Sequence, residues 1–125
     1  MKKFFLVAFL GLSNTVSYAL NQVNQIKKEE FYQTMNSSVE SIDDSIIQNF
    51  YLNYIHNTQE KNVVETNIFC PDLSYCTVAT KNNNEALNST YFIEGYYQVK
   101  SNLFVFKVLE ENAYKSEVRY YQIRN

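Results

Sequence analysis

Between residues 38 and 60 apolar side chains recur at Val39, Ile42, Ile46, Phe50 and Tyr54, with Ile47 and Ile55 alongside. That i, i+3, i+4 spacing predicts an amphipathic helix with one buried stripe. Ser37 followed by Glu40 fits a capping box, and Asp43 and Asp44 follow where negative charge suits the positive helix end, so the helix is expected to start near Ser38. Upstream, residues 22–35 carry a looser pattern through Val23, Ile26, Phe31 and Met35. Two readings stay open there: a second helix ahead of the first, or one long helix bent at Asn36 and Ser37.

Beyond Lys61 the period changes to two, and residues 63–70, 76–81, 91–100, 103–110 and 114–123 read as strands. A two-residue loop at Ser101 and Asn102 sets Val99 against Phe104, Tyr97 against Phe106 and Gly95 against Val108 on a dry face. A three-residue loop at Glu111, Asn112 and Ala113 then sets Phe106 against Val118 and Phe104 against Tyr120, with Lys107 opposite Glu117 on the wet face. Hydrophobic pattern and charge agree on this register, although a slip by two keeps the same faces. The loops lack the glycine of favoured hairpin turns, and Asn tolerates positive φ better than most residues.

Cys70 and Cys76 bracket a turn-rich insert, Pro71 to Tyr75. Placing them opposite each other also sets Ile68 against Val78 on the same side and Glu65 against Lys81 on the other. Bridge, apolar pair and charge pair therefore fit one alignment, and a structural cross-strand disulfide is expected. A redox pair is usually spaced C-x-x-C, and a zinc site lacks further ligands beyond His56.

A helix with one apolar side laid on a sheet with one apolar side hides both. The expected fold is therefore α+β: an N-terminal amphipathic helix, one long or two, packed on a four- to five-stranded antiparallel sheet. Residues 20–125 form a single domain, helical over 20–61 and stranded over 62–125. In outline this order is similar to cystatin-like and nuclear-transport-factor-2-like folds, as an architectural analogy. The cystatin inhibitory pattern Gln-x-Val-x-Gly is absent, since Gln98-Val99 runs into Lys100-Ser101-Asn102.

The first residues read as an export signal: Met1-Lys2-Lys3, a nine-residue apolar run from Phe4 to Leu12, then Ser17-Tyr18-Ala19 with cleavage expected after Ala19. Such a run reaches about 14 Å as a helix, short of a bilayer core of about 30 Å, so no membrane span is expected after cleavage. The apolar run and abundant Asn resemble a bacterial export product, placed in the periplasm or outside the cell. Loss of Lys2 and Lys3 leaves 9 basic groups against 13 acidic, roughly minus four, which excludes nucleic acid as an expected partner.

No catalytic site is expected. His56 is the sole histidine of the 125 residues and sits near a helix end, where imidazolium complements the dipole. No G-x-S-x-G elbow accompanies it. Glu40, Asp43 and Asp44 are explained by the first helical turn, so neither metal nor cofactor is expected. With only Gly95 left after signal removal, no phosphate-cradling loop exists.

Surface recognition remains. Leu103, Val105, Leu109, Arg119, Tyr121 and Arg124 are expected on or near the face opposite the core, and Tyr and Arg favour contact hot spots. The expectation is an exported, non-enzymatic protein that binds another envelope or host protein as adaptor or assembly component. The alternative is a small-molecule carrier with an aromatic pocket of Tyr97, Phe104, Phe106 and Tyr120 between helix and sheet. A small hydrolase or secreted effector ranks below both.

Overall fold

The computed structural model describes residues 23–59 and 62–124. The export signal and its cleavage after Ala19 lie outside the described residues. Strand β1 (Val23–Ile26) leads into helix α1 (Lys28–Met35) and strand β2 (Val39–Ser41). Helix α2 (Asp44–Phe50) passes into a π-helical turn (Tyr51–Ile55) and a last α turn, α3 (His56–Gln59). Strands β3 (Val63–Asp72), β4 (Tyr75–Asn82), β5 (Ser89–Gln98), β6 (Leu103–Glu111) and β7 (Ser116–Arg124) complete the chain. All strands belong to one 7-stranded antiparallel sheet, ordered β1-β7-β6-β5-β4-β3 with β2 on β5.

This corrects the expected architecture. An N-terminal amphipathic helix, one long or two, over a four- to five-stranded sheet, and with it the cystatin-like or nuclear-transport-factor-2-like outline, gives way to a larger sheet with short helices on both faces. The segment expected to open the helix is β2, because Val39, Glu40 and Ser41 pair with Gln98, Tyr97 and Tyr96 of β5 beyond the end of β4. Ser37 is not a cap: its hydroxyl donates to the Thr34 carbonyl and accepts from Gln98 Nε2. Asp43 caps instead, accepting from the Ser45 amide at 3.1 Å, so α2 starts at Asp44. Upstream, the first apolar residues form β1 against β7, and only Lys28–Met35 is helical.

The β5 edge is continuous because Ser74 splices it. This turn residue, at φ 64°, is buried; its carbonyl accepts from the Gly95 amide between the stretches bonded to β4 and β2. Its amide donates to the Ile42 carbonyl and its hydroxyl accepts from the Ile42 amide at 2.7 Å. The tip of the β3–β4 hairpin is thereby tied to the chain entering α2.

The main core lies between α2 with its π turn and one sheet face. Ile46, Ile47, Phe50, Tyr51 and Ile55 pack on Val78, Tyr91, Ile93, Phe106, Val108, Tyr121 and Ile123. The Phe50 and Phe106 rings stack at 4.1 Å. Gly95 leaves room for Ile42, since a Cβ there would lie 2.7 Å from Ile42 Cδ1 and 2.8 Å from the Phe106 ring. On the opposite face α1 buries Phe31 against Leu103 and Val105, with Ile26, Met35, Tyr96 and Tyr120 around them.

The disulfide joins Cys70 and Cys76 as expected, and Ile68 faces Val78 while Glu65 faces Lys81. Between β5 and β6 the pairing is Gly95 with Phe106 and Tyr97 with Phe104, a slip by two that keeps the faces. Asn102, at φ 52°, closes a four-residue turn by donating its amide to the Val99 carbonyl.

The β7 register is a genuine departure, because Phe106 faces Tyr121, Phe104 faces Ile123 and Lys107 faces Tyr120. Asn112 Oδ1 accepts from the amides of Tyr114 and Lys115, closing a longer turn that removes both from the strand. The shift is odd, so β7 is turned over: Val118 and Tyr120 face outward, Arg119 and Tyr121 inward.

Candidate functional site

The outer sheet face, opposite α2, is only partly covered. At its lower end α1 sits on Leu103, Val105, Tyr96 and Tyr120. Above that, the registers align one lateral row: Phe69 beside Thr77, Thr77 beside Phe92, Phe92 beside Leu109 and Leu109 beside Val118. With strands about 4.8 Å apart, the row runs about 19 Å across the sheet from β3 to β7. Phe69 is 66% exposed and Val118 41%, while Phe92 and Leu109 are half-buried. Among the described residues, none of this band belongs to the core clusters formed under α1 and α2.

Polar rows border it. On the α1 side stand Tyr75, Glu94, Lys107 and Tyr120, and on the other Asn67, Ala79, Thr90, Glu111 and Ser116. Lys107 Nζ donates to Tyr32 Oη at 2.9 Å, and Tyr96 Oη donates to Glu94 Oε1 at 3.1 Å. The Tyr32 hydrogen bond holds the Lys107 ammonium above its ordinary pKa, and the same bond lowers that of Tyr32. Burial, with the Glu94 charge beside it, pushes the Tyr96 phenol up. The border therefore carries fixed charges of both signs around an apolar centre.

The six contact residues expected from the sequence do not form one surface. Leu103 and Val105 lie on the outer face but under α1, at 6% and 0% exposure. Arg119 and Tyr121 are buried on the core face because β7 is turned over. Arg124 is exposed and donates to the Ser101 carbonyl. Leu109 alone belongs to the uncovered row. The four expected pocket aromatics are also divided: Phe104 and Phe106 are core residues, Tyr97 packs on Phe104 at 5.0 Å, and Tyr120 is on the other face beside Phe31. They do not line one space.

Phe69, Phe92 and Val118 were missed. For Phe69 a signal was present, since the residue before Cys70 must point away from the face holding the bridge. Phe92 follows by the same alternation from Tyr91 and Ile93. Val118 was hidden by the β7 register.

Arg119 is the centre of a buried network rather than a free hot spot. Its Nε donates to Tyr121 Oη at 2.7 Å, Nη2 to Glu110 Oε1 at 3.0 Å and Nη1 to Glu117 Oε1 at 3.1 Å. Tyr91 Oη donates to Glu110 Oε2, and Lys115 stands 3.4 Å from Oε1. Burial opposes the guanidinium charge, but the bonds to Tyr121 and Glu110 outweigh it and raise its pKa; for Tyr121, burial disfavours the phenolate and raises its pKa.

His56 is half-buried at the start of α3, its ring 6.1 Å from Tyr51. Glu40 is exposed on β2, paired opposite Tyr97. Asp43 and Asp44 share a side-chain hydrogen bond that holds Asp43 below and Asp44 above the usual carboxylate pKa. Among the described residues no group of three or more His, Cys, Asp or Glu is placed to hold a metal, and no helix is long and apolar enough to cross a membrane. No protein-family model, curated protein or solved structure matches the chain.

Proposed function

We propose that this chain is an exported, non-enzymatic protein that binds another protein of the envelope or of a host, through the outer-face row of Phe69, Phe92, Leu109 and Val118. The observation that carries this reading is the row itself, in register across β3 to β7 and apolar on every strand but β4, where Thr77 stands, with none of its residues in the cluster that α1 covers. An apolar, aromatic centre with a polar rim is the anatomy of a protein contact. The rim carries both signs, Lys107 and Glu94 on one side and Glu111 on the other, which suits a mixed protein surface better than a polyanion. The disulfide supports an oxidising compartment, in keeping with export.

The test uses the processed chain and the variant Leu109→Lys/Val118→Lys, whose side chains lie outside both cores. A discrete protein captured from envelope extract or host surface preparations is purified and titrated by calorimetry against both chains. The expected result is at least about 30-fold weaker binding to the variant, the loss of one hot spot of about 2 kcal/mol, with circular dichroism unchanged. Equal affinity for both chains refutes the assignment of this face.

A further inference from the structure

We infer that the free edge of β3 is a self-association surface that pairs antiparallel with β3 of a second copy of this chain. It does not rest on the proposed partner, because it uses the edge of the sheet rather than its face.

Strand β3 is 10 residues long and ends the sheet order, with no strand among the described residues on its outer side. Which of its backbone groups point outward follows from the disulfide pair. The Cα atoms of Cys70 and Cys76 are 4.1 Å apart, the close spacing of a pair that exchanges no backbone hydrogen bonds. The same register makes Ile68 with Val78 and Thr66 with Thr80 pairs of that kind, so the amides and carbonyls of Thr66, Ile68 and Cys70 point away from β4. Asn67 and Phe69 direct theirs to Ala79 and Thr77.

That outward edge is poorly guarded. Residues 66–71 carry no charge, and the acidic Glu65 and Asp72 stand outside them. Inward-pointing charges and edge lysines are the usual defence of a long edge strand; here Pro71 and the register shifts at Val63/Glu65 and Phe69/Asp72 protect the two ends and leave the middle of the strand open. A second copy matches this edge better than an arbitrary strand, because a two-fold axis at Ile68 sets Thr66 opposite Cys70 and Ile68 opposite itself, using all the outward groups in about six hydrogen bonds. Glu65 then faces Pro71 of the second copy, and no like charges meet. Phe69 falls beside Asn67 and diagonal to Phe69 of the second copy, within aromatic reach, so the two apolar rows join end to end.

The area sets the strength. The paired stretch from Glu65 to Pro71, about 23 Å of strand, is too short to bury the roughly 800 Å² per partner of a stable interface, so the dimer is weak and forms at high concentration. Sedimentation of the oxidised chain from micromolar to millimolar concentration is expected to show the average mass rising toward that of two chains. Hydrogen exchange over the same range is expected to slow at least about ten-fold at the amides of Thr66 and Ile68 and to stay constant at Asn67 and Phe69. Thr66→Pro, which removes an outward amide and no internal bond, is expected to remain a single chain. A single chain at millimolar concentration, a dimer with unchanged exchange at Thr66 and Ile68, or a folded Thr66→Pro chain that associates like its parent, overturns the inference. The exchange measurement decides the matter even if the proline variant does not fold.

Discussion

Removing the Glu110 carboxylate is the sharpest single perturbation of the turned-over β7. The side chains of Glu110 and Arg119 are 6% and 7% exposed, and the carboxylate is bonded on both oxygens, to Arg119 at 3.0 Å and to Tyr91 at 3.3 Å. Glu110→Ala leaves a buried guanidinium with the Tyr121 hydroxyl and with Glu117, a carboxylate that is 49% exposed and well screened. Stranding one member of a buried pair costs about 3–5 kcal/mol, and the remaining partners place this case at the lower end, about 3 kcal/mol. For a domain of this size that lowers Tm by roughly 12–24 °C.

Replacing both charges, as Glu110→Leu/Arg119→Met, removes the stranded ion. A gain of about 1–4 kcal/mol from apolar replacement is set against about 1 kcal/mol for each of the Tyr91 and Tyr121 hydroxyls left without its partner in the pair. The double variant is therefore expected close to the parent and clearly above Glu110→Ala. Urea titration followed by circular dichroism measures all of these chains and yields the coupling energy. A Glu110→Ala loss of about 0.5 kcal/mol or less, the scale of a surface pair, or a double variant less stable than Glu110→Ala, refutes the buried-network account.

Gly95→Ala forces a Cβ to within 2.8 Å of a Phe106 ring that is stacked on Phe50, and is expected to cost about 1–3 kcal/mol in the same titration. Cys70→Ser/Cys76→Ser opens a loop of sequence separation 6 and is expected to cost about 2 kcal/mol, measured against the parent with its disulfide intact. Asp44 has a folded pKa above its unfolded value, so its contribution is fully present below the unfolded pKa and is lost as pH rises through the folded one. Asp44→Asn is accordingly expected to match the parent at about pH 3 or below and to melt higher at neutral pH, an order that thermal melts across pH check directly.

The sequence made the C-terminal strands legible because each has enough residues for a period of two to show. In the β3–β4 hairpin three independent pairs, Cys70 with Cys76, Ile68 with Val78 and Glu65 with Lys81, demand the same alignment. The short strands were not legible. Val23-Asn24-Gln25-Ile26 is too brief to separate from a helical spacing, and Val39 and Ile42 continue the stripe of α2 by coincidence of interval. Tertiary pairing with the open end of β5 decides β2, and Asp43 is a better placed cap than Ser37. In β7 the alternatives are nearly balanced: Val118, Tyr120 and Gln122 on one side, Arg119, Tyr121 and Ile123 on the other. The choice falls on the set containing Ile123, with Arg119 accepted inside because Glu110 is there to meet it. Of the contact face, Phe69, Phe92 and Leu109 follow from the alternation along their own strands, while Val118 depends on that register.

The row on the outer face reaches β7 only if that strand has this orientation, and nuclear Overhauser contacts in the isotope-labelled chain test it most directly. The structure predicts contacts from the Val118 methyl groups to Leu109, and from the Tyr121 ring to Phe106 and Phe50. Val118 in contact with Phe106, and Tyr120 with Phe104, would contradict it and take Val118 out of the proposed binding face.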